Sequence, residues 1–135
     1  MPIDNELHKA AHKGDIDACK MLIEGSVNEE VPITVNDLGA SDRRPLHRAA
    51  GAGHLELCEY FIEIGAEIDA VSKFDVKKDK SGRTALHWAA ISGHAEIVKL
   101  LLEKDADVLA ETTAKTNALH SAVEANRLDV VKVLM

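Results

Sequence analysis

Apolar residues recur at three- and four-residue steps in four separate stretches of the chain, which places them on one face of a helix. Each stretch follows a shorter run that is rich in small residues and closes on a glycine or an asparagine. These closing residues tolerate positive φ and predict a turn there. We therefore predict an all-α fold of eight helices in four antiparallel pairs, whose second helices cover residues 16–23, 55–62, 95–102 and 128–134.

The short runs also repeat one another in register. Each contains Leu-His followed by small residues, and the histidine lies six residues before the turn. Small residues let neighbouring helices approach closely, whereas a single helix pair cannot bury its apolar face alone. The pattern predicts a stack of repeats built on Leu7-His8-Lys9-Ala10-Ala11, Leu46-His47-Arg48-Ala49-Ala50, Leu86-His87-Trp88-Ala89-Ala90 and the weaker Leu119-His120-Ser121-Ala122.

This unit resembles the ankyrin repeat family, whose units open on a Thr-Pro-Leu-His-x-Ala box. The third unit matches best, with Thr84-Ala85-Leu86-His87-Trp88-Ala89 followed by Gly93-His94. The resemblance covers nearly the whole chain and implies one helical repeat solenoid over 1–135 with β-hairpin or loop fingers. It also implies that the box histidines hydrogen-bond to backbone and tie adjacent repeats together. The expected repeats are approximately 4–37, 38–78, 79–111 and 112–135, the last one truncated.

Two connections are longer than the family period. His87 and His120 are 33 residues apart, but His8 and His47 are 39 apart and His47 and His87 are 40 apart. In the first connection Val31, Ile33 and Val35 alternate with polar residues or proline, which is typical of a strand. Phe74 and Val76 alternate in the second. We predict two ordered, lengthened fingers lying side by side; the alternative is a pair of disordered polar loops.

Two smaller features at the ends of the array also give expectations. Asp4 or Asn5 is suited to cap the first helix. The last apolar run, 128–134, offers an outer face that terminal repeats usually keep polar. We therefore expect Met135 to be a fragment boundary.

Composition narrows the class of function. The 135 residues carry a formal net charge of −7, which disfavours a general nucleic-acid or anionic membrane surface. No apolar run approaches the roughly 18 residues that span a bilayer, so we expect no membrane insertion. Two cysteines, Cys19 and Cys58, are too few for a disulfide framework. They favour a reducing, intracellular location, taken as the cytoplasm with the nucleus left open.

Histidines are numerous, and His8 and His12 stand at the i, i+4 spacing of metal ligands on a helix. No third ligand is evident nearby, and the box histidines of neighbouring repeats lie too far apart to share an ion. The sequence also contains no nucleophile elbow, phosphate-binding loop or dinucleotide fingerprint. We expect no metal, no cofactor and no enzymatic activity.

The resemblance implies that the first helices and the hairpin tips line a concave face. Residues that follow Leu-His point into it, and Trp and Arg are the types most enriched at binding hot spots. In the alternative reading, Trp88 packs over Arg48 or a finger residue and only shields the core. The candidates for partner binding are Lys9, Arg43, Arg44, Arg48, Phe74, Arg83, Trp88 and Ile91.

We therefore expect a protein–protein interaction module or scaffold that binds a partner protein through the concave face and the fingers. A locally basic and aromatic face would suit an acidic or amphipathic segment. An alternative is an N-terminal regulatory ankyrin domain of a larger enzyme or channel.

Overall fold

The structure is a computed structural model that describes residues 2–75, 77 and 80–135, without the side chains of Phe74 and Asp75. Within this range the chain forms eight α-helices in four antiparallel pairs and one two-stranded sheet, which confirms the predicted helical solenoid. The helices are α1 (Glu6–Lys13), α2 (Ile16–Gly25), α3 (Pro45–Ala52), α4 (Leu55–Glu63), α5 (Ala85–Ser92), α6 (Ala95–Glu103), α7 (Ala118–Glu124) and α8 (Leu128–Leu134). The strands are β1 (Ser72–Asp75) and β2 (Lys80–Arg83), and a short 3-10 turn spans Ala40–Asp42.

Left-handed residues separate the two helices of each pair, as predicted. Gly53 ends α3 at a φ of 86°, and Asn126 takes the same role after α7 at a φ of 59°. At Gly53 there is also no room for a side chain, because a Cβ would lie 2.6 Å from Cε1 of His94. The turn therefore needs glycine for both conformation and space.

In three of the four pairs, the first helix follows a residue whose side chain accepts one of the free backbone N–H groups of that helix. Asn5 caps α1 by accepting the N–H of His8 at 3.1 Å, which decides between the two cap candidates. Thr84 and Asn117 cap α5 and α7 in the same way. In α3 the proline at the first helical position, Pro45, replaces a side-chain cap.

The core lies between two rows of helices. In the inner row α1, α3, α5 and α7 pack side by side, and alanines such as Ala49 and Ala89 are completely buried where they meet. Larger side chains such as Phe61 and Leu101 fill the space towards the outer helices. Acidic residues on these outer helices are exposed, as expected from the repeat: Asp17, Glu56, Glu59, Glu63, Glu96 and Glu103.

Each of the first three box histidines ties its helix to the connection that leads into the next repeat. His8 Nε2 donates to Asp37 O at 2.8 Å, His47 Nε2 to Ala70 O at 2.8 Å, and His87 Nε2 to Thr116 O at 3.2 Å. The other ring nitrogen accepts a backbone N–H three residues earlier, as in the bond of 2.8 Å from Arg44 N to His47 Nδ1. Because Nδ1 accepts and Nε2 donates, this arrangement requires the neutral imidazole.

The first long connection is ordered by side chains, and the prediction of a strand at residues 31–35 is wrong. The N–H of Ile33 donates to the buried Ser26 hydroxyl at 2.8 Å, and Thr34 donates to the Asp37 carboxylate from both N and Oγ1. Val35 is buried but Val31 is 81% exposed, so the alternation does not define one buried face. The segment forms a loop because polar side chains satisfy backbone groups that a strand would pair.

The second long connection contains the antiparallel hairpin β1–β2, with Lys73 opposite Ser81. β1 packs against the 3-10 turn, so the two connections meet at their ends. On its other side, β2 bonds to the connection between the third and fourth repeats: Thr113 N donates to Ser81 O at 2.9 Å. Val76 and the side chain of Phe74 lie outside the described residues.

Both cysteines are buried and unpaired. Burial, aided by the charge of a nearby carboxylate, raises the pKa of Cys19 to about 11 and that of Cys58 to about 12. We expect both thiols to react slowly with a disulfide reagent at pH 8 and rapidly in denaturant, because the thiolate is the reactive form. Rapid labelling of either cysteine in the native protein would contradict the core assignment.

Replacement of His47 by alanine should cost about 2–4 kcal/mol of unfolding free energy, because it removes two hydrogen bonds and buried volume. His120 occupies the same box position but is exposed, and among the described residues it bonds only its own cap, so His120→Ala should cost less than about 1 kcal/mol. Urea denaturation followed by circular dichroism compares the two. Equal losses would show that the link to the next repeat contributes nothing.

Acid should weaken the array through the same histidine. Burial, reinforced by the charges of Arg44 and Arg43, lowers the pKa of His47 from 6.5 to about 4 despite its bond to Ala70 O. The folded state thus favours the neutral ring, and its stabilisation is present above pH 6.5 and lost as pH falls towards 4. Unfolding free energy should drop by about 2–3 kcal/mol more in the wild type than in His47→Gln over this interval. Parallel pH profiles of the two proteins would refute this assignment.

Candidate functional site

The candidate surface lies where the inner helices α3 and α5 meet the segments that precede them, which are the 3-10 turn before α3 and the β1–β2 hairpin before α5. Arg48 and Trp88 each follow a box histidine, so they occupy equivalent positions on neighbouring inner helices. Arg43 lies between the 3-10 turn and α3, and Arg83 ends β2. The repeat itself therefore brings these four residues together.

Trp88 is held by the second hairpin. Its indole N–H donates to the Ser72 hydroxyl at 2.8 Å, and that buried hydroxyl donates to the carbonyl of Arg83 at 3.0 Å. The guanidinium carbons of Arg43 and Arg83 lie 4.3 Å and 4.8 Å from the indole centroid. Trp88 therefore packs against finger residues, as one of the two alternatives expected. The cations over its ring are Arg43 and Arg83 and not Arg48.

Arg48 is paired with a residue from the start of the chain. Its guanidinium donates to Asp4 Oδ2 at 2.5 Å, and Asp4 Oδ1 accepts the N–H of Ala40 at 2.9 Å. Partial burial raises the pKa of Asp4, but the Ala40 hydrogen bond and the Arg48 charge outweigh it and leave that pKa below its usual value. Sequence reasoning missed this pair because 44 residues separate its members.

The arginines lie close enough to affect one another's charge. Burial lowers the pKa of Arg43, and the charge of Arg48 lowers it further. Burial also lowers the pKa of Arg83, with a further contribution from Arg43. The carboxylates that oppose these effects are Asp4 for Arg43 and Glu124 for Arg83, so the surface is locally basic in an acidic protein.

A cavity of about 170 Å³ opens among these groups on the inner face. Within the described residues, the buried Nε atoms of Arg43 and Arg48 find no hydrogen-bond acceptor. Arg43, Arg48 and Trp88 thus line one cavity. Its lining residues are His12, Arg43, His47, Arg48, Gly51, Ala52, Trp88 and Ser92.

Comparison with known proteins identifies the repeat. Residues 7–62 match a sequence profile described as ankyrin repeats (many copies), and residues 70–135 match one described as ankyrin repeats (3 copies). The chain belongs to the ankyrin repeat family. Ankyrin repeats are generally protein–protein interaction modules, and the family is typically non-catalytic. The inner face described above is therefore the concave face of an ankyrin array.

One relative matches this chain over a limited stretch. A protein named VAPYRIN-LIKE from Medicago truncatula is 35% identical over 63 residues. This match covers 47% of the present chain and 13% of the relative. The relative is thus a much longer protein than the array described here.

Three of the other predicted partner-binding residues make different contacts. Arg44 pairs with Glu67 at 2.6 Å, and Lys9 pairs with Glu6 on the exposed side of α1. Ile91 lines a separate depression beside Arg83 and Glu124. The Phe74 side chain lies outside the described residues. Of the eight candidates, the ankyrin fold gathers Arg43, Arg48, Arg83 and Trp88 at one place.

The described part of the chain, 2–75 with 77 and 80–135, contains no group of three or more His, Cys, Asp or Glu side chains arranged to hold a metal ion. None of its helices combines the length and the apolar composition that crossing a bilayer requires. The chemistry available at the cluster is therefore that of hydrogen-bond donation, positive charge and an aromatic surface.

Proposed function

We propose that this ankyrin array binds an acidic or amphipathic segment of a partner protein at the centre of its concave face. The contact is made by Arg43, Arg48, Arg83 and Trp88, which are called the arginine–tryptophan cluster below. The observation that carries the proposal is the position of Arg43, which stacks on Trp88 and lines the cavity. Its buried Nε has no hydrogen-bond acceptor among the residues that the structure describes.

Charge distribution supports an acidic partner. The whole chain carries −7, yet among the described residues eight exposed carboxylates lie on the outer helices and only two, Glu6 and Glu124, on the inner helices, where the cluster of arginines faces the groove. A negative segment is therefore attracted to the concave side and repelled by the convex side. Such complementarity increases the association rate and favours one docking orientation.

Packing supports a specific contact as well. The hydrogen bond to Ser72 and the stacked guanidiniums hold the indole before a partner arrives. Side chains that are already ordered lose little entropy on binding, and Trp and Arg of this kind often dominate interface energies. The proposed place of action is inside the cell, which agrees with two buried, unpaired cysteines.

The test is affinity capture from cell extract, followed by measurement of the affinity of the captured protein for purified variants. The double variant Trp88→Ala, Arg43→Gln should bind at least about tenfold more weakly, which corresponds to about 1.4 kcal/mol. Lys99→Gln provides the matched control, because it removes one exposed positive charge from outer helix α6. For the wild type the association rate should also fall with added salt.

Thermal unfolding must first show that the double variant keeps the fold. If it is folded and binds the captured protein as tightly as the wild type, the arginine–tryptophan cluster is not the binding site. An equal loss in Lys99→Gln would instead indicate a general effect of net charge.

A further inference from the structure

We propose that an apolar groove on the outer side of the array is a second docking surface, which takes a partner segment with large apolar side chains flanked by Lys or Arg. The groove lies between the ends of α2 and α4 and the first long connection, and it is called the loop groove below. None of the residues that line it belongs to the arginine–tryptophan cluster, so this inference is independent of the proposed function. Its apolar walls and floor are formed by Ile23, Val27, Ile33, Val35, Tyr60 and Ile64.

Hydrogen bonds fix the shape of the loop groove before a partner arrives. The Ser26 hydroxyl accepts the N–H of Ile33 at 2.8 Å, which ties the floor to the end of α2. On the other side, the Asn36 side chain donates to Gly65 O at 3.1 Å and accepts the N–H of Glu67 at 2.9 Å. The first long connection is thus anchored beside both outer helices, and a groove that is already formed needs little ordering on binding.

The groove presents apolar surface to water. Val27 is 66% exposed and Ile64 is 38% exposed, and the Tyr60 side chain is half-buried between them. Single exposed apolar residues are common, but apolar groups that line one recess give a surface that a partner can bury. The cavity volume of about 400 Å³ lies within the roughly 300–1,000 Å³ of typical binding pockets, so it has room for large apolar side chains.

Carboxylates lie beside this apolar surface. Glu24 lines the groove from α2, and Glu63 is the last residue of α4. Burial raises the pKa of the Tyr60 phenol, and the charges of Glu24 and Glu63 raise it further, which places both carboxylates near the ring. The Lys20 ammonium lies 5.3 Å from the Tyr60 centroid and opposes these charges in part.

The rim adds more negative charge. Glu29 and Glu30 are exposed in the stretch between Val27 and Pro32, and both of these flanking residues line the groove. Together the four carboxylates outweigh the one lysine that lies at the tyrosine. An apolar segment with flanking cations complements this arrangement, because its apolar side chains leave water while its Lys or Arg groups remain at the acidic rim.

Charge also decides against two other occupants. The net charge of −7 opposes the approach of a second copy of the chain and of an anionic lipid surface. An acidic segment of the kind proposed for the concave face would be repelled as well. The occupant is therefore a basic and apolar segment of a partner protein.

The experiment uses a phage library of random peptides about twelve residues long, selected on the immobilised protein and, in parallel, on the variant Trp88→Ala, Arg43→Gln. The parallel selection separates peptides that need the concave face from those that do not. The most enriched peptide is then synthesised and titrated into the protein. Methyl resonances of Val27, Ile33 and Ile64 report on the loop groove, and the indole N–H of Trp88, the only tryptophan, reports on the concave face.

We expect both selections to enrich peptides with large apolar residues flanked by Lys or Arg. The synthetic peptide should shift the three groove methyls and leave the indole resonance in place. Val27→Ser, Ile64→Ser should weaken binding by about tenfold or more, because it removes apolar contact. Glu24→Gln, Glu63→Gln should weaken it by about fivefold or more, and added salt should reduce that difference.

Glu103→Gln is the matched control, because Glu103 ends α6 as Glu63 ends α4. Its affinity for the peptide should stay within about twofold of the wild type. Since all the substituted side chains are exposed, the variants should keep the fold, which thermal unfolding checks.

Three outcomes would overturn the inference. If no peptide is enriched, or if the enriched peptide shifts the Trp88 indole and not the groove methyls, the groove is not a docking site for such a segment. If Glu103→Gln loses as much affinity as the groove variants, the attraction is a general effect of net charge. If the groove methyls shift with protein concentration alone, the occupant is a second copy of the chain.

Discussion

The hydrogen bond from a box histidine to a carbonyl oxygen of the next hairpin is the contact on which the rest of this array depends. His47 fixes Ala70 O, two residues before Ser72. Ser72 then receives the indole N–H of Trp88, and the carbonyl of Arg83 receives the Ser72 hydroxyl. The bond that stacks the second repeat on the third therefore also sets the position of the aromatic residue at the candidate site.

The two rows of helices expose residues of opposite charge, because each row buries a different set of side chains. Inner helices meet through alanines, and the residues after the second and third box histidines, Arg48 and Trp88, face the groove. Outer helices bury larger side chains such as Phe61 and expose carboxylates to water. The array thus holds arginines close together on one side, although their mutual repulsion lowers the pKa of Arg43 and of Arg83 beyond the effect of burial.

Repetition made most of the fold predictable from the sequence. Helices, turns and buried cysteines follow from residues whose neighbours recur in every unit, such as Gly53 and Gly93. The first long connection has no such template. There, the alternation of Val31 with Val35 did not determine the structure. The side chains of Ser26 and Asp37 did so, because they accept hydrogen bonds from backbone N–H groups of the loop. Periodicity shows which side chains share a face, but it does not show where polar side chains compete with a neighbouring strand for backbone hydrogen bonds.

The candidate site was predictable to the extent that it follows the repeat, and its selectivity depends on a residue that does not. Arg48 and Trp88 stand at template positions, whereas Asp4 reaches Arg48 from a separate part of the chain. Arg48 is paired with Asp4, whereas Arg43 stacks on Trp88. The repeat pattern could not reveal the pair with Asp4, because that pair joins a residue before α1 to a residue on α3 and the repeat template contains no equivalent of it.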